Sequence, residues 1–361
     1  MELFEHLSRL RADEARVAVA TLVNTRGTTP RKEGARMVVG EGGRILGSVT
    51  IGGCVDAQVI EQAADVLGRD RPRLLELNLG DEEAWEIGLT CGGTIEVFVE
   101  PLRLDRPGDP ALVLAERARA HAEGGGRAAV LTRLDEGGEG RKLLLLDDGR
   151  VEGGLGDPDV DERLGAEAAR ALAEGTSRTV VQDRVRAFVE VVAPPALLAV
   201  VGAGHVAMPL VALARLLGFR TAVLDGRPRF ATRERFPDVD VLRVGIPSEL
   251  VRELPLIPST ALVLVAHDYK YDVPVIAHAL TTPVGYIGLL GSSRRGKAIF
   301  DLLREDGVTD AQVERVHVPI GLDLGAQSAP EIALAILGEV LAVQRGRSGR
   351  PISRKLREAG P

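Results

Sequence analysis

The sequence predicts an α/β chain of two domains, a mixed α/β domain followed by a doubly wound parallel sheet. Three observations predict it. Short β-like runs separated by Gly- and Pro-containing breaks fill the first half, Pro194-Pro195 punctuates the middle, and beyond it continuous apolar runs alternate with helical segments in βαβ order. With 361 residues, 45% of them apolar, the chain is long enough to bury more than one core.

In chain order, residues 17–23, 36–39 and 44–49 read as strands. From Cys54 to Leu67 the apolar residues Val55, Val59, Ala63 and Val66 recur at helical spacing, and residues 95–99 return to strand alternation before Pro101. A helix over 111–123, strands at 128–131 and 143–146, a helix over 161–174 and a strand at 188–192 complete a first domain of residues 1–193. Leu197-Leu198-Ala199-Val200-Val201 then reads as a strand buried on both faces. A helix to about Leu217 follows, with further strands expected at 221–225, 239–244, 261–266, 284–290 and 316–318. Ser328, with Glu331 three residues on and Pro330 in the first turn, marks the start of a last helix. These elements make residues 196–346 a Rossmann-like domain, with 347–361 as a flexible tail. No sequence repeat or low-complexity tract is detectable.

Composition excludes several function classes. Lys and Arg number 45 against 52 Asp and Glu, a formal charge of −7, so no basic field draws the chain to nucleic acid. Charged residues and glycine punctuate every apolar stretch before it reaches spanning length, so no membrane partner is expected, and the acidic start Met1-Glu2-Leu3-Phe4-Glu5 carries no leader signature; a cytoplasmic location follows as an expectation. Two cysteines, Cys54 and Cys91, can form neither a disulfide framework nor a four-thiolate metal site from one chain. No zinc-hydrolase or serine-nucleophile spacing is present.

Two constellations carry chemistry. In the first, Gly202-x-Gly204-x-x-Ala207 lies between an apolar strand and a helix: glycine at 202 permits the turn, glycine at 204 lets backbone approach a pyrophosphate, and Ala207 allows close helix–strand packing. His205 lies inside that turn. Asp225 ends the next strand, where such folds place the acid that meets an adenosine ribose, and Arg227 two residues on suits a 2′-phosphate, leaving NAD and NADP both open. In the second, Gly52-Gly53-Cys54 and Cys91-Gly92-Gly93 set each thiol beside two glycines, where backbone amides lower a thiol pKa and leave room for a bulky ligand. The competing reading of either cysteine is a small buried hydrophobe. Thr28, Arg31 and Arg36 offer hydroxyl donors and guanidinium forks to a phosphate, or else a turn and solvated charges. His267-Asp268 with Asp272 sits at a strand's carboxyl end, where a metal site competes with a solvated loop. Ser292-Ser293-Arg294-Arg295 is either a second anion-binding helix start or a helix cap at Ser293.

Longer strings carry a resemblance. Residues 24–37, Gly47-Ser48-Val49-Thr50-Ile51-Gly52-Gly53-Cys54-Val55, Cys91-Gly92-Gly93, Gly202-Ala203-Gly204-His205-Val206, Asp225-Gly226-Arg227 and Pro319-Ile320-Gly321-Leu322-Asp323-Leu324-Gly325-Ala326 resemble the XdhC/CoxI family over residues 15–345. The resemblance implies an accessory factor that binds molybdenum cofactor (molybdopterin), supports its sulfuration, and delivers it to xanthine dehydrogenase or a related molybdenum hydroxylase, with a cysteine desulfurase and a homodimer as further associations. It makes Cys54 and Cys91 candidate metal ligands or sulfur relays, with no turnover of a metabolite required. Thr50-Ile51 departs from the family pattern, where smaller residues are expected. An NAD(P)-dependent oxidoreductase and a nucleotide-binding regulatory module are the alternatives that the glycine turn alone would support.

Overall fold

The computed structural model describes residues 14–27, 29, 31–50, 53–78, 93–106, 108–266 and 269–351. It divides into two units, Met1–Pro194 and Pro195–Pro361.

The first unit is two antiparallel sheets, each backed by a helix. Strands β1 (Arg16–Gly27), β2 (Arg36–Gly40), β3 (Ile45–Gly47), β4 (Arg73–Asn78) and β5 (Gly93–Arg103) form one sheet, with helix α1 (Cys54–Arg69) between β3 and β4 in the chain. Alternation sends Ala18, Ala20, Leu22, Met37, Val97 and Val99 to the α1 face, where they meet Val55, Val59, Ala63 and Val66. Helix α2 (Pro110–Glu123), capped by Asp109, leads to β6 (Ala128–Arg133), β7 (Lys142–Leu146), β8 (Val151–Gly153), helix α3 (Pro158–Glu174), β9 (Arg178–Gln182) and β10 (Val185–Val192). Strands β4, β8 and β9 are additions to the sequence-based expectation. They are edge strands, and the burial along them (half-exposed at most positions) leaves little alternation to read.

The second sheet repeats the first. Each is built strand–strand–strand–helix–strand–strand, with strand order β3-β2-β1-β5-β4 in one and β8-β7-β6-β10-β9 in the other. The match reaches single hydrogen bonds. Gly40 N–H donates to Arg44 O at 2.8 Å in the first hairpin, and Leu146 N–H donates to Arg150 O at 2.9 Å in the second. Gly34 N–H to Leu22 O is echoed by Gly140 N–H to Arg133 O. Val55, Val59, Ala63 and Leu67 on α1 correspond in burial and spacing to Val160, Leu164, Ala168 and Leu172 on α3. Both helices end on a left-handed residue, Asp70 and Gly175.

The two halves face each other across a seam. Phe98 and Phe188, which hold equivalent register positions opposite Thr21 and Thr132, pack there with Val23 and Leu134. Arg36 on β2 pairs with Glu190 on β10, and its counterpart Lys142 on β7 pairs with Glu100 on β5 at 2.8 Å. Each base also donates to the threonine beside it, Arg36 Nε to Thr21 Oγ1 at 3.4 Å and Lys142 Nζ to Thr132 Oγ1 at 2.9 Å. The ion pairs are thus crossed and reciprocal, as in an interface between identical subunits. Helix α2 lines one side of the seam, Leu112 against the first sheet and Leu114 and Ala118 against the second.

The second unit is the doubly wound domain. Strands β11 (Leu197–Val201), β12 (Arg220–Asp225), β13 (Val241–Val244), β14 (Thr260–Leu264), β15 (Tyr286–Leu289) and β16 (Val316–His317) form a parallel sheet in the order β13-β12-β11-β14-β15-β16. Helices α4 (Ala207–Leu216), α5 (Pro247–Leu250), α6 (Tyr269–Leu280), α7 (Ser293–Glu305), α8 (Asp310–Val313) and α9 (Ala329–Gln344) accompany it. Apolar cores on both faces explain why the strands read as unbroken hydrophobic runs. The expected capping box at Ser328 and Glu331 is present. At the sheet edge Tyr286 donates to Glu339 Oε2 at 2.5 Å and stacks on His317, tying β15 and β16 to α9; burial and the Glu339 carboxylate push the Tyr286 hydroxyl far above the usual range, so it stays a donor. Among the described residues no helix is long and apolar enough to cross a membrane.

Candidate functional site

Strand order reverses between β11 and β14, and in such sheets ligands bind outside the carboxyl ends at that point. The glycine turn sits there. Gly202 has φ 105°, and a Cβ on it would lie 2.7 Å from the Ala266 amide nitrogen, so the fold itself demands glycine. Gly204 differs: a Cβ there would meet nothing nearer than the Val265 carbonyl at 3.8 Å. Packing therefore does not demand glycine at 204 as it does at 202. Ala207 is fully buried in the first turn of α4, and no side chain caps that helix, so its amide end faces the crevice. His205 is exposed and lines a cavity of about 330 Å³ with Gly204, Val206, Arg227 and Leu290.

Asp225 ends β12 as expected, but its carboxylate is engaged. Oδ2 accepts from the Ala203 amide at 2.6 Å and from Arg227 Nη2 at 2.7 Å; Oδ1 accepts from the Arg227 amide at 2.8 Å and Arg227 Nε at 2.9 Å. Burial alone would raise its pKa; the Arg227 guanidinium and the two amides outweigh burial and hold the carboxyl below the usual carboxylate range. Asp272, nominated with His267 and Asp268 for a metal, is fully buried and paired with Arg295, whose guanidinium lies over the Tyr269 ring; His267 and Asp268 lie outside the described residues. Among the described residues no cluster of His, Cys, Asp and Glu could hold a metal ion. The cap of α7 is Ser292, one residue before the expected Ser293, because Ser292 keeps extended backbone and accepts from the Arg295 amide.

In the first unit Thr28, Gly52, Cys91 and Gly92 lie outside the described residues, as does the Cys54 side chain. The backbone of Cys54 opens α1, with Gly53 at φ 102° before it. Around that start the chain gathers residues that the sequence reading did not single out. Asp56, buried in the first turn, accepts from Ser48 Oγ at 2.5 Å, Thr50 Oγ1 at 3.0 Å and the Thr50 amide at 3.3 Å. Arg31 Nη1 donates to the Ser48 carbonyl at 2.8 Å, so Arg31 belongs to this cluster. Arg36 does not: strand alternation turns it to the seam, where Glu190 and Thr21 take its guanidinium. The available signal for Asp56 was an acid at the third helical position beside a Ser-x-Thr turn.

The equivalent helix start in the second half is closed. Asp157 caps α3, its Oδ1 accepting from the Asp159 and Val160 amides at 2.9 and 3.4 Å, with Pro158 in the first turn. Matching the buried residues of the two helices sets Asp157 against Gly52, Pro158 against Gly53 and Asp159 against Cys54. The first half therefore has glycine in sequence where the second has the capping carboxylate, and among the described residues no side chain caps α1 at Gly53. Asp161 makes the counterpart of the Asp56 contact, accepting from the Leu155 amide at 2.6 Å.

The model for the XdhC and CoxI family matches residues 10–78, and that for the XdhC Rossmann domain matches residues 198–340. A Bacillus subtilis protein named as a probable subunit of xanthine dehydrogenase is 26% identical over 341 residues, 94% of this chain and 96% of that one. The Escherichia coli molybdenum cofactor insertion chaperone PaoD is 27% identical over 327 residues, 90% of this chain and 83% of that one. A crystal structure from Bacillus halodurans, described as a xanthine dehydrogenase, superposes with a TM-score of 0.77 at 27% identity, covering 96% of this chain and 97% of that one. Matched in both of its units, and along nearly its whole length by these relatives, the chain belongs to the XdhC and CoxI family.

Proposed function

We propose that the chain is a maturation factor that binds molybdenum cofactor at the start of α1, supports its sulfuration, and inserts it into a xanthine-dehydrogenase-like molybdenum hydroxylase. The observation that carries this reading is likeness to PaoD, named an insertion chaperone, over 90% of the chain. The difference between the two helix starts supports the location. Where α3 supplies its own carboxylate to two amides, the sequence at the start of α1 is Gly52-Gly53-Cys54, which offers no carboxylate of its own, and an external anionic ligand is proposed to take that place beside the thiol. A soft thiolate suits molybdenum held by dithiolene sulfur, which is the chemistry that the bound group supplies. Asp56, Ser48 and Thr50 hold the turn, and Arg31 donates to the Ser48 carbonyl beside it. Cys91 and Gly92 complete the proposed thiol pair; Thr28 adds a hydroxyl. Arg36 is left out of the proposed phosphate grip because Glu190 holds it.

The crevice at Gly202, Gly204, His205, Ala207, Asp225 and Arg227 is proposed as a nucleotide site in the second unit. A molybdenum hydroxylase is the proposed recipient, a cysteine desulfurase the proposed sulfur donor, and a homodimer in the cytoplasm the proposed working form. Anaerobic purification followed by fluorescence of the oxidised pterin tests the central reading. Stoichiometric pterin in the native chain and its loss in Cys54→Ala are expected; pterin retained undiminished by Cys54→Ala would overturn the placement, and none in the native chain after exposure to cofactor would overturn the function.

A further inference from the structure

The geometry points to Arg227 as the residue that makes the second-unit crevice select a phosphate monoester over a free ribose diol, an inference that deepens the nucleotide reading and rests on it. An acid at the end of the second strand takes a ribose by accepting hydrogen bonds from its hydroxyls, and a carboxylate has about four acceptor positions. In this chain four N–H donors already fill them: the Ala203 amide, the Arg227 amide, Arg227 Nε and Arg227 Nη2. Asp225 borders the crevice, but its side chain is only 4% exposed and its acceptor positions are taken. A ribose diol finds a free acceptor on Asp225 only by displacing one of these donors.

Arg227 itself is available. Its side chain is 53% exposed, and among the described residues its hydrogen bonds all go to Asp225, so the remaining donors of the five on its guanidinium face outward. It lines both lobes of the crevice: the cavity of about 330 Å³ beside Gly204 and His205, and one of about 230 Å³ formed with Gly202, Asp225, Gly226, Pro247, Ala266 and Tyr271. Its position is set before any ligand arrives, by Asp225 on one edge and by the Phe230 ring, whose centroid lies 4.1 Å from Arg227 Cζ. Arg235 lies against the same ring at 5.3 Å and is tied to the Ala203 and Phe230 carbonyls, whose oxygens carry no formal charge. Of these two guanidinium groups Arg227 is paired with a carboxylate and Arg235 is held by carbonyls, leaving a positive excess where a neutral diol would otherwise be read. A phosphate monoester, whether the 2′-phosphate of a dinucleotide or the terminal phosphate of a pterin, satisfies that excess by forked N–H donation.

The test is calorimetric titration of the full chain with NADP⁺, NAD⁺ and a pterin alcohol phosphate, each with native protein, Arg227→Ala and Arg227→Lys, with thermal melts to verify folding. Expected is at least tenfold tighter binding of a monoester ligand than of NAD⁺, lost in Arg227→Ala and partly kept in Arg227→Lys; which monoester binds tighter identifies its source. Equal binding of NADP⁺ and NAD⁺ with the pterin phosphate no tighter, or a monoester preference that survives Arg227→Ala, overturns the inference and leaves the nucleotide reading standing. Tight binding of the pterin phosphate alone upholds Arg227 and removes the nucleotide. Absence of binding by all three overturns both.

Discussion

The two halves of the first unit share a topology, a hydrogen-bond pattern and a crossed pair of ion pairs, yet differ at one helix start. What they share is what the fold requires. The Asp56 and Asp161 carboxylates both receive the amide six residues before them, and the tight hairpins both turn on Gly-Arg, at Gly43-Arg44 and Gly149-Arg150. What they do not share is Gly52-Gly53-Cys54 against Asp157-Pro158-Asp159. The second half thus acts as an internal control for the first, separating the groups that build the module from those proposed to take a ligand.

The comparison is broken most forcefully at the seam. Glu190→Gln leaves Arg36 without its counter-ion in a largely buried setting and should cost about 3 kcal/mol; Glu100→Gln should cost a similar amount through Lys142. Chemical denaturation of both variants checks it, and a large difference between them would mean that the halves are not energetically equivalent. Restoration by exchanging the charges, Arg36→Glu with Glu190→Arg, would sharpen it.

A smaller effect is expected at the helix starts. Asp157→Ala should destabilise by about 1 kcal/mol through the lost cap, and added inorganic phosphate should recover part of that loss if the freed amides take an anion. Thermal melts with and without phosphate read this directly. No recovery would weaken the parallel drawn between the two helix starts.

The smallest effect concerns pH. Asp135, in the second half only, would be raised by burial, but Arg133 and the Arg186 amide lower it below the usual carboxylate value. A lowered folded pKa adds stability that is fully present above the unfolded value of about 4 and is lost as pH falls through the folded value. Acidification below about pH 4 should therefore raise amide exchange around residues 133–135 and 186 before the matching strand at residues 22–25, where Asn24 stands in place of this acid. Simultaneous loosening of both would contradict it.

Much of the second unit was legible in the sequence because strands buried on both faces read as apolar runs and a glycine turn must follow the first of them. The lock on Asp225 was not, since an arginine two residues beyond an acid is solvated or paired according to the loop between them. In the first unit, Arg36 read as a phosphate fork until its strand face was known. The duplication escaped because the identical pairs, such as Thr21 with Thr132 and Phe98 with Phe188, are scattered, while elsewhere only charge or size recurs, as where Arg36 matches Lys142 and Val59 matches Leu164. The Cys54 helix start was legible as glycines flanking a thiol; its distinction needed the capped copy beside it.

Hydrogen–deuterium exchange of the full chain with and without molybdenum cofactor tests the asymmetry of the two helix starts most directly. Protection on loading should appear at residues 53–57 and not at 157–161; protection of both, or of 157–161 alone, would contradict the assignment of the ligand to the first half.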